Sequence, residues 1–157
     1  MAYRLNRNLE ASLIDFLREE LLSDGWSGIS VEKSVKQANI KPPLILVQST
    51  DTDTQKREIG SGVYIKYPTV TIRIFAKNDG QRLDLADWLL EKLEETINYY
   101  TYVVTNGVIS SKDLAGQIVV RRIVRNEKEL SNTDPSVLEE EDRYRHNLTF
   151  SCFIGEV

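Results

Sequence analysis

Apolar and polar side chains alternate with a period of two along Tyr144–Ile154, and this pattern restricts the fold more than any other in the sequence. Because successive side chains of a β-strand point to opposite faces, the alternation predicts a strand with one buried face. The buried face would carry Tyr144, His146, Leu148, Phe150, Cys152 and Ile154. Such a strand belongs to a sheet, so the rest of the chain must supply a layer that covers its apolar face.

Two segments have the helical spacing of apolar residues that can provide this layer. The first covers residues 5–22, with apolar positions Leu5, Leu9, Leu13, Phe16, Leu17 and Leu21. The second covers residues 82–98, with apolar positions Leu83, Ala86, Leu90, Leu93 and Ile97. Each predicted helix has one apolar stripe, so both should pack on one face of a mostly antiparallel or mixed sheet. This arrangement defines an α/β (α+β) fold.

Several other segments predict strands of this sheet. The run Leu44–Val47 is apolar throughout, which is typical of a strand buried on both faces. Pro68 separates Gly62–Tyr67 from Thr69–Ala76, which predicts a hairpin of two strands. The remaining predicted strands are residues 29–33, 116–125 and, as an alternative to a helix exit, 99–105. The expected core includes Phe16, Leu89 or Leu90, Leu93, Ile72 and Phe150.

Two polar segments, Ser49–Gly60 and Asn126–Arg143, contain few apolar residues. They cannot offset the entropy of ordering a chain, on the order of 1–2 kcal/mol per residue. We expect both to be loops that are mobile in an isolated subunit and contact partners in an assembly. Candidate residues for a partner interface or for a lumen are Asp51, Asp53, Lys56, Arg57, Glu58, Glu127, Glu129, Asp134, Glu139, Glu140, Glu141 and Asp142.

The composition limits the class of protein. A length of 157 residues predicts one domain spanning residues 1–157. The net charge of −4 argues against general nucleic-acid binding, which depends on cationic contacts to phosphates. The single cysteine, Cys152, cannot form an intrachain disulfide, which is typical of a reducing compartment. No apolar run reaches the ~18 residues of a membrane span, and the N-terminus lacks the apolar segment of a signal peptide.

Few residues indicate chemistry. Asp51–Gln55 begins like a calcium loop, but Lys56 stands where that loop requires glycine. His146 and Cys152 lie on the predicted apolar face, where core residues are commoner than catalytic ones. Arg121, Arg122 and Arg125, with Arg73, could form a basic stripe or could pair with the acidic segments. We therefore expect no catalytic residue, no metal site, no cofactor and no enzymatic activity.

The order of elements is more informative. A helix beginning at Leu5–Glu10 is followed by the proline-introduced strand Pro42–Val47 and the predicted hairpin Gly62–Ala76. A second helix then contains Leu83–Leu90, and Asp142–Arg145 leads into the closing strand. This order resembles that of the small tail-terminator and tail-completion proteins of long-tailed bacteriophages, also called head-to-tail joining proteins.

The resemblance implies an α/β subunit without catalytic residues that assembles into a ring, normally a hexamer. Such a ring caps the tail tube and contacts the tail tube protein and the head–tail connector or a neck protein. DNA passes through its lumen without specific binding. The implied location is the virion, in the tail or neck, after assembly in the host cytoplasm and without a membrane.

Three alternatives remain open. The length of Asn126–Arg143 departs from the family pattern and would suit another neck or head-completion component. A second alternative is a small α/β module unrelated to phages that binds a small molecule or peptide as a monomer or dimer. A metal-dependent nuclease is less favoured, because it would need Asp113 and Glu127 beside Lys112, and their spacing does not support such a site.

Overall fold

The structure is a computed structural model that describes residues 4–33, 43–56, 60, 62, 64–128 and 144–155. In chain order, its elements are α1 (Leu5–Ser23), β1 (Ser30–Glu32), β2 (Leu44–Lys56), β3 (Tyr64–Phe75), α2 (Asp79–Leu93), β4 (Ile97–Thr105), β5 (Val108–Lys128) and β6 (Arg145–Gly155). Across the described ranges, neither helix has the length and apolar character needed to cross a membrane.

The strands form one sheet in the order β1-β2-β3-β6-β5-β4. β1 pairs with β2 in parallel, and the other neighbouring strands pair in antiparallel fashion. The predicted α+β fold with a mixed sheet is therefore confirmed. The closing strand predicted from the alternation is β6, which lies in the interior of the sheet between β3 and β5.

Both helices pack on the same side of the sheet and share one core with it. Fully buried members of this core include Leu9, Leu13, Leu17, Leu85, Leu89, Ile72, Ile74, Leu148 and Phe150. The predictions of Leu89, Leu93, Ile72 and Phe150 as core residues are confirmed. Phe16 and Leu90 are only partly buried at its margin.

The apolar run at the start of β2 is buried on both faces, as predicted. Ile45 and Val47 point into the main core beneath the helices. Leu44 and Leu46 join Phe75 in a smaller cluster on the opposite face. A run without polar residues is required here, because neither face of β2 meets water at this point.

Helix α1 closes the sheet by contacting both of its ends. On the β4 side, the backbone N–H groups of Tyr100 and Tyr102 donate to Ser12 Oγ at 2.9 Å and to Asn8 Oδ1 at 3.4 Å. On the β2 side, the backbone N–H of Ser49 donates to Glu10 Oε1 at 2.7 Å. These side chains satisfy edge N–H groups that would cost about 1–3 kcal/mol each if buried without a partner. The sheet therefore curves around α1.

The prediction that Ser49–Gly60 is a loop is wrong over most of its length. Residues 49–56 continue β2 and pair with residues 64–70 of β3, with a bulge between Ser49 and Asp51. The predicted division of 62–76 into two strands is also wrong, because Pro68 lies within β3 opposite Thr52. β6 pairing begins only at Thr69, so the N–H that proline lacks is not needed for the ladder.

Helix α2 begins earlier and ends sooner than predicted. The side chain of Asn78 caps its first turn by accepting from the backbone N–H of Gln81 at 2.8 Å. The helix ends at Leu93, and Ile97 already belongs to β4. The predicted apolar stripe is displaced as well, since Leu83 is 48% exposed and Leu85 is fully buried.

Strand β5 is much longer than the predicted segment 116–125. Its 21 residues extend back to Val108 and forward through Asn126–Lys128, so the predicted polar loop begins later than residue 126. A β-carbon at Gly116 would lie 2.5 Å from the carbonyl oxygen of Gly155. Glycine is required there because the end of β6 approaches the β5 backbone closely.

We predict that Phe150→Ala lowers the free energy of unfolding by about 3–5 kcal/mol, because it leaves a cavity in the core. Leu22→Ala is the matched control, since Leu22 is 82% exposed and its loss should change stability by less than about 0.5 kcal/mol. Urea unfolding followed by circular dichroism measures both values. Equal effects of the two substitutions would contradict the assignment of the buried face of β6.

Candidate functional site

Residues 103–116 belong to a β-hairpin, termed the arm, whose outer part extends beyond the body of the fold. Asn106 and Gly107 connect its strands with φ angles of 53° and 79°, the left-handed pair of a tight two-residue turn. Asn8 is the first residue of α1 with a hydrogen bond to β4, and it reaches Tyr102. Residues 103–111 lie past that contact, and they contain no charged side chain.

The ribbon formed by β2 and β3 projects from the same end of the molecule. Thr52 Oγ1 donates to Asn6 Oδ1 at 3.3 Å, and the two paired strands continue past this contact. β2 and β4 both run toward the N-terminal end of α1. Along β4, Tyr100 contacts Ser12 and the following Tyr102 contacts Asn8. Along β2, Ser49 contacts Glu10 and the following Thr52 contacts Asn6. The arm and the ribbon therefore extend in the same direction.

Strand β5 changes partner along its length and has an open edge as a result. Residues 108–118 pair with β4, whereas residues 117–128 pair with β6. No described strand lies beside residues 119–128 on the β4 side, and we call this stretch the open edge. On the β6 side, no described strand lies beside residues 108–116.

A groove of about 450 Å³ runs beside the open edge. It lies between the C-terminal end of α2 and β5, and its lining includes Leu90, Leu93, Ile118, Val119 and Ile123. Glu94 and Glu95 contribute an acidic rim. Unpaired backbone beside an apolar depression is the geometry that accepts an additional β-strand.

Exposed apolar side chains are concentrated on these elements. Among the described residues, those on β4 and β5 are Val103, Val108, Ile109, Leu114, Val119, Ile123 and Val124, with exposed fractions of 39% to 68%. Single exposed apolar residues are common on protein surfaces, but a concentration on one projecting element and an adjacent edge is typical of an interaction site.

The basic stripe considered from the sequence lies on the face of the sheet opposite the helices. Arg121 stacks over the ring of Tyr67 at 4.3 Å, and Arg73 donates to Gln48 at 3.0 Å. Arg125 pairs with Glu127 at 3.3 Å. The arginine side chains of β5 thus lie beside the open edge, on the face of the sheet that the helices do not cover.

The predicted interface residues are only partly described. Asp51 and Asp53 are exposed on β2 rather than in a loop, and Glu127 is exposed on β5. The side chain of Lys56 lies outside the described part, as do Arg57, Glu58, Glu129, Asp134, Glu139, Glu140, Glu141 and Asp142. The calcium-loop resemblance of Asp51–Gln55 has no structural basis, because that segment is extended strand.

The sequence contains a signal for the arm that apolar periodicity does not reveal. Asn-Gly between two β-branched runs is the strongest short-range indication of a hairpin, and Val103–Thr105 and Val108–Ile109 flank Asn106-Gly107. The open edge has no such signal. It results from the partner change along β5, which depends on the strand order.

His146 is held in a buried polar network at the start of α2. Arg82 Nη1 donates to His146 Nδ1 at 2.8 Å, since a guanidinium can only donate. The proton therefore resides on Nε2, which donates to Asn126 Oδ1 at 2.6 Å. Both ring nitrogens are occupied, so the imidazole links α2 to β5 and β6 as a structural residue.

Cys152 also behaves as a core residue. Its Sγ lies 3.6 Å from the carbonyl oxygen of Pro68, and burial raises the pKa of its thiol to about 12. The thiol is protonated at neutral pH and is a poor nucleophile.

Acidic side chains do not converge on a metal geometry within the described residues. Asp113 and Glu127, considered for a nuclease, lie near opposite ends of the 21-residue β5. At about 3.3 Å per residue, they are separated by roughly 45 Å along the strand. Lys112 stacks over Tyr100 at 4.4 Å instead of approaching Glu127. The structure does not bring these three residues together.

Compared with known proteins, the chain matches no protein-family model and no curated protein. Its function must therefore be inferred from its own residues.

We predict that protonation of His146 destabilises the fold. Burial lowers the pKa of His146 below its ordinary value of 6.5, and the Arg82 charge lowers it further against the opposing carboxylates of Asp87 and Glu127. The unfolded state then binds more protons once the pH falls below about 6.5. The free energy of unfolding should be greatest above that pH and should decrease as the pH falls toward the folded pKa.

His146→Gln provides the comparison, since its amide can accept from Arg82 and donate to Asn126 but cannot titrate. Urea unfolding between about pH 7.5 and pH 5 should show a shallower decline for this variant. The same decline in both proteins would assign the pH dependence to other groups.

Proposed function

We propose that the chain is a structural subunit of a ring of identical copies, of the kind that completes the tail of a long-tailed bacteriophage. The ring would cap the tail tube, present its other face to the head–tail connector and leave a lumen for DNA. The observation that carries this proposal is the combination of a projecting arm, uncharged over residues 103–111, with a separate open edge on the same subunit.

The arm and the open edge support assembly because they are different surfaces. A ring forms when one patch of each subunit contacts a different patch of the next and the rotation closes. Part of the other sheet edges is already occupied within the subunit, since α1 accepts hydrogen bonds from backbone N–H groups of β4 and β2. The exposed apolar residues of β4 and β5 are thus the described surface best suited to repeated contact between copies.

The observed order of elements supports the phage assignment within this proposal. An opening helix, a buried strand, a projecting ribbon, a second helix and an alternating final strand follow one another as in the resemblance drawn from the sequence. The ribbon departs from it in detail, because β3 is a single strand that pairs with β2 instead of a hairpin in itself.

We predict that the purified chain forms one closed oligomer with a fixed number of subunits, most simply six. Native mass spectrometry should give a single dominant assembly, and negative-stain images should show rings with a central opening. A monomer at every concentration tested, with no association when the tail tube protein of the same genome is added, would contradict the proposal.

The tail function requires a second measurement. Inactivating the gene in the phage that encodes it should yield tails that are not joined to heads, and supplying the wild-type chain should restore joined particles. Normal particles without the chain would contradict the tail-completion role even if the ring forms.

A further inference from the structure

We infer that the arm of one copy adds to the open edge of the next copy, with residues 108–116 of the donor lying beside residues 119–128 of the acceptor. This inference rests on the proposed ring and specifies the contact that would build it. Its first basis is that both segments belong to β5 but are open on opposite sides, one toward β6 and the other toward β4.

The positions of these openings define how the copies must be related. In the acceptor, β4 begins at Ile97, opposite Ile118 of β5. The donor segment would lie in line with this β4, on the side of Ile97 where β4 ends and residues 119–128 of β5 continue. If the helices of both copies stay on the same face of the extended sheet, the two β5 segments run parallel. Each copy then gives its arm to one neighbour and receives an arm from the other, which is a heterologous contact.

The charge on β5 opposes the symmetric alternative. Two open edges paired in antiparallel fashion around a two-fold axis would place Arg121, Arg122 and Arg125 of one copy next to those of the other. Like charges on directly opposed strands are destabilising. The donor segment reduces this repulsion, because the only charged residues within 108–116 are Lys112 and Asp113, whose charges are opposite.

The side chains of the arm also suit the groove. Val108 pairs with Thr105 and, by alternation along β4, shares the face of the buried residues Ile97 and Tyr99. In an added strand, that face points toward the helices, where Leu90, Leu93 and Ile123 line the groove. Val108 is 68% exposed in the single subunit, and docking would remove it from water.

Cross-linking between introduced cysteines tests the contact directly. Leu114 and Val124 are 52% and 56% exposed and would lie on neighbouring strands. A short bis-maleimide should join Leu114→Cys of one copy to Val124→Cys of another. Cys152 should remain unreactive, because it is buried in the wild-type chain.

The single and double variants distinguish the possible contacts. The double variant should yield a ladder of covalent multimers up to the ring, and a mixture of the two single variants should yield covalent dimers. Dimers from Leu114→Cys alone would indicate arm-to-arm pairing, and dimers from Val124→Cys alone would indicate edge-to-edge pairing. Either result, without the ladder, would overturn the inference.

A mixing experiment tests the direction of the contact without cross-linking. Val108→Glu should disable the arm, since it places a carboxylate near Glu94 and Glu95. Ile123→Glu should disable the groove, and Val119→Glu replaces it if that variant fails to fold. Each variant alone should be monomeric, whereas an equal mixture should form a one-to-one dimer through the one intact arm and the one intact groove.

Leu22→Glu is the matched control, because Leu22 is an exposed apolar residue at the end of α1, away from the arm and the groove. It should assemble like the wild-type chain. Rings that persist in both Val108→Glu and Ile123→Glu would reject this contact and leave the proposed ring intact. A wild-type chain that never associates would instead reject the ring itself.

Discussion

The fold depends on the polar contacts that α1 makes with the two ends of a curved sheet. Asn8 and Ser12 are almost fully buried, yet neither belongs to the apolar stripe that predicts the helix. Their oxygens accept hydrogen bonds from the free side of β4, while Glu10 does the same for β2. A helix that only covered the sheet would leave these edge groups open to other strands.

Because α1 accepts hydrogen bonds from β4 and β2, the unpaired backbone considered for assembly lies elsewhere, on β5. While α1 occupies part of the β4 and β2 edges, the partner change along β5 leaves an open edge at residues 119–128. The helix pair beside this edge is held firmly, because Trp88 Nε1 donates to Asp24 at 2.8 Å and Lys92 Nζ donates to Glu20 at 2.8 Å. These contacts attach α2, which forms one wall of the groove, to the C-terminal end of α1.

The sequence predicts the elements whose side-chain pattern is imposed by the core. The helices must cover the apolar face of the sheet. This requirement explains the alternation of β6, the apolar run at Leu44–Val47 and the apolar stripes of the two helices. The same reasoning fails for the ribbon and the arm, which have water on both faces and need no alternation. In Ser49–Lys56, the β-branched residues Thr50, Thr52 and Thr54 indicate a strand that apolar periodicity cannot detect.

The displaced stripe of α2 has a related cause. Spacing alone places Leu83 on the buried face, but Arg82 occupies that face instead, since its guanidinium donates to His146 inside the network at the start of the helix. The buried face of α2 therefore combines this polar contact with Leu85 and Leu89, and Leu83 faces solvent. The candidate site was still harder to predict, because an open edge is a property of strand order and stagger and not of any residue type.

Assembly through the arm would give the ring two different faces. The arm and the β2–β3 ribbon extend past the N-terminal end of α1, whereas the first turn of α2 and the His146 network lie at the other end of the sheet. Because the arm extends toward the neighbouring copy, these two ends of the subunit would follow one another around the ring. In a heterologous ring all subunits have the same orientation, so its two faces carry different surfaces of the subunit. A ring that joins a tail tube to a connector must contact two unlike partners. The proposed contact provides that polarity, whereas a two-fold pairing of open edges would turn alternate subunits over and present the same surfaces on both sides.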